Sequence, residues 1–186
     1  MAFNRCLRAL SAFVIFAAPI IAPAQTIETT PFPIPPKPDF SSMQFLIGTW
    51  SCSTKSSRRP APVTSSSTYK MSTDGWWIDE TTVANSAPWF PQKTTSYDKI
   101  TYDSDTKRWV DVSYGDLGNY DLTTSPGWNG NAMVWHDPTF APGADVKTVS
   151  DVTMTKQSAS KYTMSSTFTE ASGRSISVAG TCTKSS

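Results

Sequence analysis

Histidine is almost missing from this chain: His136 is the only one in 186 residues, and cysteine is limited to Cys6, Cys52 and Cys182. Each shortage excludes some chemistry. A nucleophilic relay needs a base beside its nucleophile, and the many serines come with neither a G-x-S-x-G turn nor a second His. A structural zinc site needs more ligands than two Cys and one His provide. No P-loop and no G-x-G-x-x-G fingerprint occurs. Charge of one sign is lacking too, with 16 basic against 15 acidic residues. Without a basic stripe there is no electrostatic footprint for nucleic acid. The expectation is therefore a protein that is not an enzyme and carries neither metal nor cofactor.

What is present begins with a leader. Residues 1–24 hold Arg5 and Arg8, an apolar run from Leu10 to Ile21, and a small-x-small close at Ala22-Pro23-Ala24. This is the pattern of a secretory signal peptide, and the run is too short for a bilayer span of about 20 residues. Cys6 precedes the apolar run, so it is not placed for acylation. Cleavage takes away two arginines, leaving 14 basic and 15 acidic residues and no transmembrane segment. The expected location is periplasmic or secreted. Cys52 and Cys182 remain as an even pair in an exported chain, which favours a disulfide. Residues 25–40 form a Pro-rich spacer with five prolines between positions 31 and 38, an extended stretch that cannot pack as a helix. One domain, 41–186, is left.

Within that domain the hydrophobic period is two. Ser, Thr, Val, Trp and Tyr dominate, and turn signals recur about every dozen residues, as an antiparallel barrel requires. Strands are expected near 48–56, 64–71, 76–84, 94–102, 108–115, 118–124, 131–136, 146–155, 161–169 and 174–184. Ser72-Thr73-Asp74-Gly75, Asp103 to Lys107 and Ala171-Ser172-Gly173 supply turn chemistry. The one helical candidate is Ser41 to Leu46. The fold class is thus all-β: a single antiparallel up-and-down β-barrel of about ten strands with a short N-terminal helical turn.

A barrel removes its edges by pairing its first strand with its last. If Cys52 faces Cys182 across that seam, Trp50 lies opposite Lys184 and Gly48 opposite Ser186. Period two puts Trp50 and Cys52 on one face. Trp50 then plugs one barrel end with the Lys184 cation near its ring. Gly48 lets the chain turn out of the helix without a Cβ clash.

A helical turn followed by Gly-x-Trp on the first strand, with a late basic residue against the Trp, resembles the calycin pattern of lipocalins and fatty-acid-binding proteins. The ordered set FLIGTWSC, DGWWIDE, YDSDTKRWV, SPGWNG, MVW and GTCTK is similar to a group of exported bacterial domains of unknown function, taken to be lipocalin-like barrels. The resemblance covers about 45–184 and implies the fold without an activity. Nitrobindin-type haem barrels share the architecture but rest their haem on a late-strand His. This chain has none after His136.

The remaining signal is aromatic. Tyr69, Met71, Trp77, Tyr114, Trp135, Met154, Tyr162, Met164 and Phe168 are the candidate lining of an interior cavity. Such a cavity suits a small hydrophobic or amphipathic ligand. The alternative is a structural or interaction module with a filled barrel, which binds a protein or glycan through Trp89 and Trp128. Of the adjacent pair Asp79-Glu80, one must face inward, where it needs a partner or a raised pKa. Asp111, between Val110 and Val112, is expected outside. His136 is expected at the barrel rim, pointing out and not holding haem.

Overall fold

The computed structural model describes residues 31, 34–136, 146–149 and 151–185. The chain divides into two units, 1–34 and 35–186, and all the strands among the described residues lie in the second. The leader and its cleavage site lie outside the described residues, as does Ser186.

A 3-10 turn, Ser41–Leu46, leads into twelve strands. They are β1 (Gly48–Ser56), β2 (Val63–Met71), β3 (Ile78–Ala84), β4 (Thr94–Asp103), β5 (Arg108–Gly115), β6 (Tyr120–Ser125), β7 (Trp128–Asn129), β8 (Ala132–Trp135), β9 (Val146–Val149), β10 (Val152–Ser158), β11 (Lys161–Glu170) and β12 (Ser175–Lys184). All pairings are antiparallel, in the order β6-β5-β4-β3-β2-β1-β12-β11-β10-β8-β7, with β9 also on β11. The up-and-down antiparallel barrel expected from the sequence is the architecture observed. Its first and last strands pair, and the curled sheet comes together again at one bridge between β6 and β8. There the Thr124 amide donates to the His136 carbonyl at 3.1 Å, and the His136 amide returns the bond at 2.7 Å.

Several strand boundaries differ from expectation: the stretch 118–124 starts at Tyr120, β7 is not among the expected strands, and two further differences have a visible cause. The stretch 146–155 is not one strand: β9 and β10 both lie along β11, with the register displaced by one residue between them. Such a displacement bends the strand where the sheet must curve. The stretch 76–84 starts late, at Ile78. Asp74 accepts from the Ser72 hydroxyl at 2.6 Å and the Trp76 amide at 3.1 Å, and this turn holds Trp76 and Trp77 outside the ladder. The link between β4 and β5 is closed in the same manner. Asp103 accepts from the Asp105 amide at 2.9 Å and the Thr106 hydroxyl at 2.6 Å.

The β1–β12 seam has the expected register: Trp50 opposite Lys184 and Cys52 opposite Cys182, the latter joined by a disulfide. Trp50 is fully buried. Its Nε1 donates to the Leu46 carbonyl at 2.6 Å, and Tyr162 meets its ring edge-on at 4.8 Å between centroids. Lys184 Nζ lies 5.4 Å from the Trp50 ring centre and donates to the Phe45 carbonyl at 2.9 Å. Gly48 sits at φ +128°, a conformation that favours glycine, and a Cβ there would fall 2.8 Å from Lys184 Cε, so the lysine side chain would have to shift. Phe40, Met43, Leu46, Ile78, Ile100 and Trp109 complete this apolar end. The spacer is not wholly free of the barrel. Phe40 is buried, with its ring 5.7 Å from that of Trp109, and Lys37 Nζ donates to the Asp74 carbonyl at 2.6 Å.

Candidate ligand cavity

Pairing register lays the interior out in rows. Ile78, Ile100, Asp111 and Thr123 are direct partners across β3 to β6. The next row runs Tyr69, Glu80, Asp98, Ser113, Asp121 across β2 to β6. Above it lie Ser67, Thr82 and Ser96. Because side chains alternate along a strand, these inward residues share parity on each strand. Four carboxyls, one from each of β3, β4, β5 and β6, therefore meet on one wall.

They line a cavity of about 260 Å³ together with Tyr69, Ile100, Trp135, Val152, Met154 and Met164. The wall built by β3 to β6 is acidic and hydroxylated. The facing wall, from β8, β10 and β11, is aromatic and aliphatic. No Lys, Arg or His is among the described lining residues.

Burial decides the electrostatics of the acidic wall. Asp98 is pushed up to about 9, first by loss of water and then by the charges of Glu80, Asp111 and Asp121. Asp111 is pushed up to about 8 by burial, then by Glu80 and Asp121. Burial also raises Glu80, although the hydroxyls of Thr82, Tyr69 and Ser67 hydrogen-bond its carboxyl and oppose the shift. The Thr82 bond is 2.8 Å long. Burial, then the Glu80 charge, likewise raises Tyr69. Asp111 Oδ1 is sealed from solvent and has no hydrogen-bond partner among the described residues. Among those residues, no three His, Cys, Asp or Glu side chains are placed to hold a metal ion.

The candidate lining divides. Tyr69, Trp135, Met154 and Met164 do line the cavity. Tyr162 is fully buried in the core beside Trp50 and does not line the cavity; its hydroxyl shares a 3.0 Å hydrogen bond with that of Tyr69. Phe168 shares the inward parity of Tyr162 and Met164 but does not reach the lining. Met71, the last residue of β2, continues the row of Ile78 onto β2 but is exposed and does not reach the lining. Trp77 belongs to the turn before β3 and does not reach the cavity. Tyr114 is on the outer face, 48% exposed, and stacks on Tyr97 at 5.3 Å. Asp111 is corrected in the opposite sense: it faces inward, and Val110 and Val112 face outward. Of the Asp79-Glu80 pair, Glu80 faces in, whereas Asp79 takes Lys99 at 2.6 Å on the outside. His136 does not line the cavity; its Nδ1 lies 2.8 Å from Asp151 Oδ2. Trp89 and Trp128 are half-buried rather than free. Arg59 lies 4.6 Å over the Trp89 ring, and Trp128 packs against Phe45 at 5.6 Å.

Sequence reasoning missed Asp98, Asp111 and Asp121 as lining residues. The available signal was an acidic residue at matching parity on four successive strands.

No protein-family model matches the chain, and no curated protein matches it by sequence. Among solved structures it is similar to one described as "Structure of EF1p2_mFAP2b bound to DFHBI", at 12% identity over 77% of this chain and 97% of that one, with a TM-score of 0.39. A likeness this weak carries no argument about fold or ligand.

Proposed function

We propose that the protein is a non-catalytic binding barrel for a small amphipathic ligand held in its interior. The cavity's two-sided lining carries this reading: hydroxyls and carboxyls on one wall, Trp135, Met154 and Met164 on the other. Few convergent polar groups set in apolar walls are the usual form of a small-molecule site. The guest is smaller and more polar at one end than a purely apolar lipid. The Cys52–Cys182 disulfide is compatible with export, and no helix among the described residues is long and apolar enough to cross a membrane.

Solvent extraction followed by mass spectrometry is the test. A small molecule near one equivalent per chain, lost when Trp135 and Met154 are replaced by smaller polar residues, is the expected result. An empty extract from protein that also binds no added amphiphile would overturn it. That outcome would favour the interaction module, for which one observation speaks. Tyr97, Tyr114 and Tyr120 form an exposed cross-strand ladder on the outer face of β4 to β6. Such a module would work through these tyrosines rather than through Trp89 and Trp128.

A further inference from the structure

We propose that the cavity is a site for an organic cation: a small amine whose ammonium group sits on the Asp98 and Asp111 side while its apolar body lies against Trp135, Met154 and Met164. The proposal rests on the small-ligand reading and names the chemistry of its guest.

Four observations converge. Strand register brings Glu80, Asp98, Asp111 and Asp121 to one wall. No basic side chain is among the described lining residues, so none of those residues supplies a cation to this wall. Asp111 Oδ1 is sealed from solvent and partnerless among the described residues, and buried acceptors are rarely left so. The facing wall offers an indole and two thioethers, surfaces that tolerate both an alkyl or aryl body and a nearby positive charge.

The donor inventory narrows the guest. An ammonium carries three donors and no acceptor, which complements a wall of acceptors. A hydroxyl guest brings one donor and no charge with which to stabilise an ionised carboxylate. A bare divalent ion would need three or more carboxylates converging on one point, and the described residues offer no such group. A carboxylate guest would oppose ionisation of this wall rather than favour it. The cavity, at about 260 Å³, lies just under the common range of about 300–1,000 Å³, so the guest is a compact amine.

Binding also moves a proton. Burial and like charge raise Asp98 and Asp111, so these carboxyls hold protons at neutral pH in the unliganded barrel. An arriving ammonium stabilises the ionised form. A carboxyl O–H bond is then broken, its proton passes to the buffer, and the ammonium keeps its own three hydrogens. Net charge balances: one cation enters and one proton leaves.

The test titrates the intact disulfide-bonded chain with 2-phenylethylamine, 2-phenylethanol, phenylacetate and calcium chloride at neutral pH. Calorimetry in two buffers of different ionisation heat and tryptophan emission are followed together. The amine should bind about tenfold or more tighter than the alcohol, as expected for a charge-assisted contact, and should release protons. Phenylacetate should be weakest. Asp111→Asn, which keeps the shape, should abolish the preference for amine over alcohol while its melting curve shows a folded barrel. Alcohol binding as tight as amine would overturn the cation proposal and leave the small-ligand reading standing. Calcium binding that excludes the amine would overturn it in favour of a metal. If no probe binds, the amine proposal fails, and an empty solvent extract beside that result would remove the small-ligand reading as well.

Discussion

Two inward-facing acidic regions of this barrel, one buried and one half-buried, are built in opposite ways. Glu170, at the end of β11, is almost inaccessible, yet Arg58 and Arg174 both bond its carboxylate, the latter through Nε at 2.9 Å and a second nitrogen at 2.8 Å. Burial alone would raise this group, but Arg174 and Arg58 outweigh it and hold it below the ordinary glutamate range. Asp98 and Asp111 are half-buried with carboxyls for company, and they are raised. A buried charge kept for structure is commonly given its counter-charge by the chain. The interior wall has no basic neighbour among the described lining residues, and this separates a structural carboxylate from one set to meet something else.

The largest expected effects lie outside both acidic regions and set the scale for them. Trp50→Ala should destabilise by about 3–5 kcal/mol in urea unfolding, since a fully buried indole and its bond to Leu46 are both lost. Reduction of the disulfide should cost a similar amount. With a sequence separation of 130 between the cysteines, loop entropy alone gives about 4–5 kcal/mol, an upper figure.

Next come the unpaired acids, where the effect has an unusual sign. The folded pKa values of Asp98 and Asp111 lie above the unfolded value of about 4, so the folded chain binds more protons than the unfolded one between about pH 4 and pH 9. Stability in the ligand-free barrel should therefore be greatest on the acid side of that window. It should fall as pH rises and level off above about pH 9. Melting temperatures between pH 5 and pH 9 check this, and a curve rising across that range would contradict it. Asp111→Asn removes a charge that has no counter-charge. At pH 9 it should stabilise the chain by more than about 1 kcal/mol, an advantage that disappears near pH 5.

Glu170→Gln should behave in reverse. Its folded pKa is depressed, so its contribution is present above the unfolded value and is lost as pH falls through the folded one. The variant should be less stable than the parent at pH 7, with the difference shrinking below about pH 4. The smallest effect belongs to the outer neighbour of Glu80. Asp79→Ala breaks only the exposed pair with Lys99, and should cost less than about 1 kcal/mol at moderate salt.

Much of the frame was legible in the sequence because two cysteines on terminal strands fix parity as well as pairing. Once Cys52 faces Cys182, the positions of Trp50, Lys184 and Gly48 follow. The interior was harder, and Asp111 shows why. Alternation was read with apolar residues inward, so Val110 and Val112 seemed to belong to the core. Here the inner wall of β3 to β6 is polar, while Tyr97, Val112, Tyr114 and Tyr120 lie outside, so hydropathy gives the wrong parity. The β4–β5 turn carries the correct one: it pairs Asp103 with Arg108 and sets Trp109 and Asp111 on the inward side. Tyr114 was misplaced by the same inversion. Met71 has a different cause: it has the inward parity of Tyr69 and pairs with Ile78, but it ends its strand and is left exposed. Glu80 was half legible. The pair Asp79-Glu80 required one inward carboxyl, and only the register decided which.

The contrast between paired and unpaired burial is tested most directly by following the side-chain carboxyl carbons by NMR through a pH titration of the ligand-free barrel. Asp98 and Asp111 should titrate above pH 7 while Glu170 titrates below 4.5. Midpoints near 4 for both aspartates would contradict the account, because the inner wall would then have a counter-charge of its own.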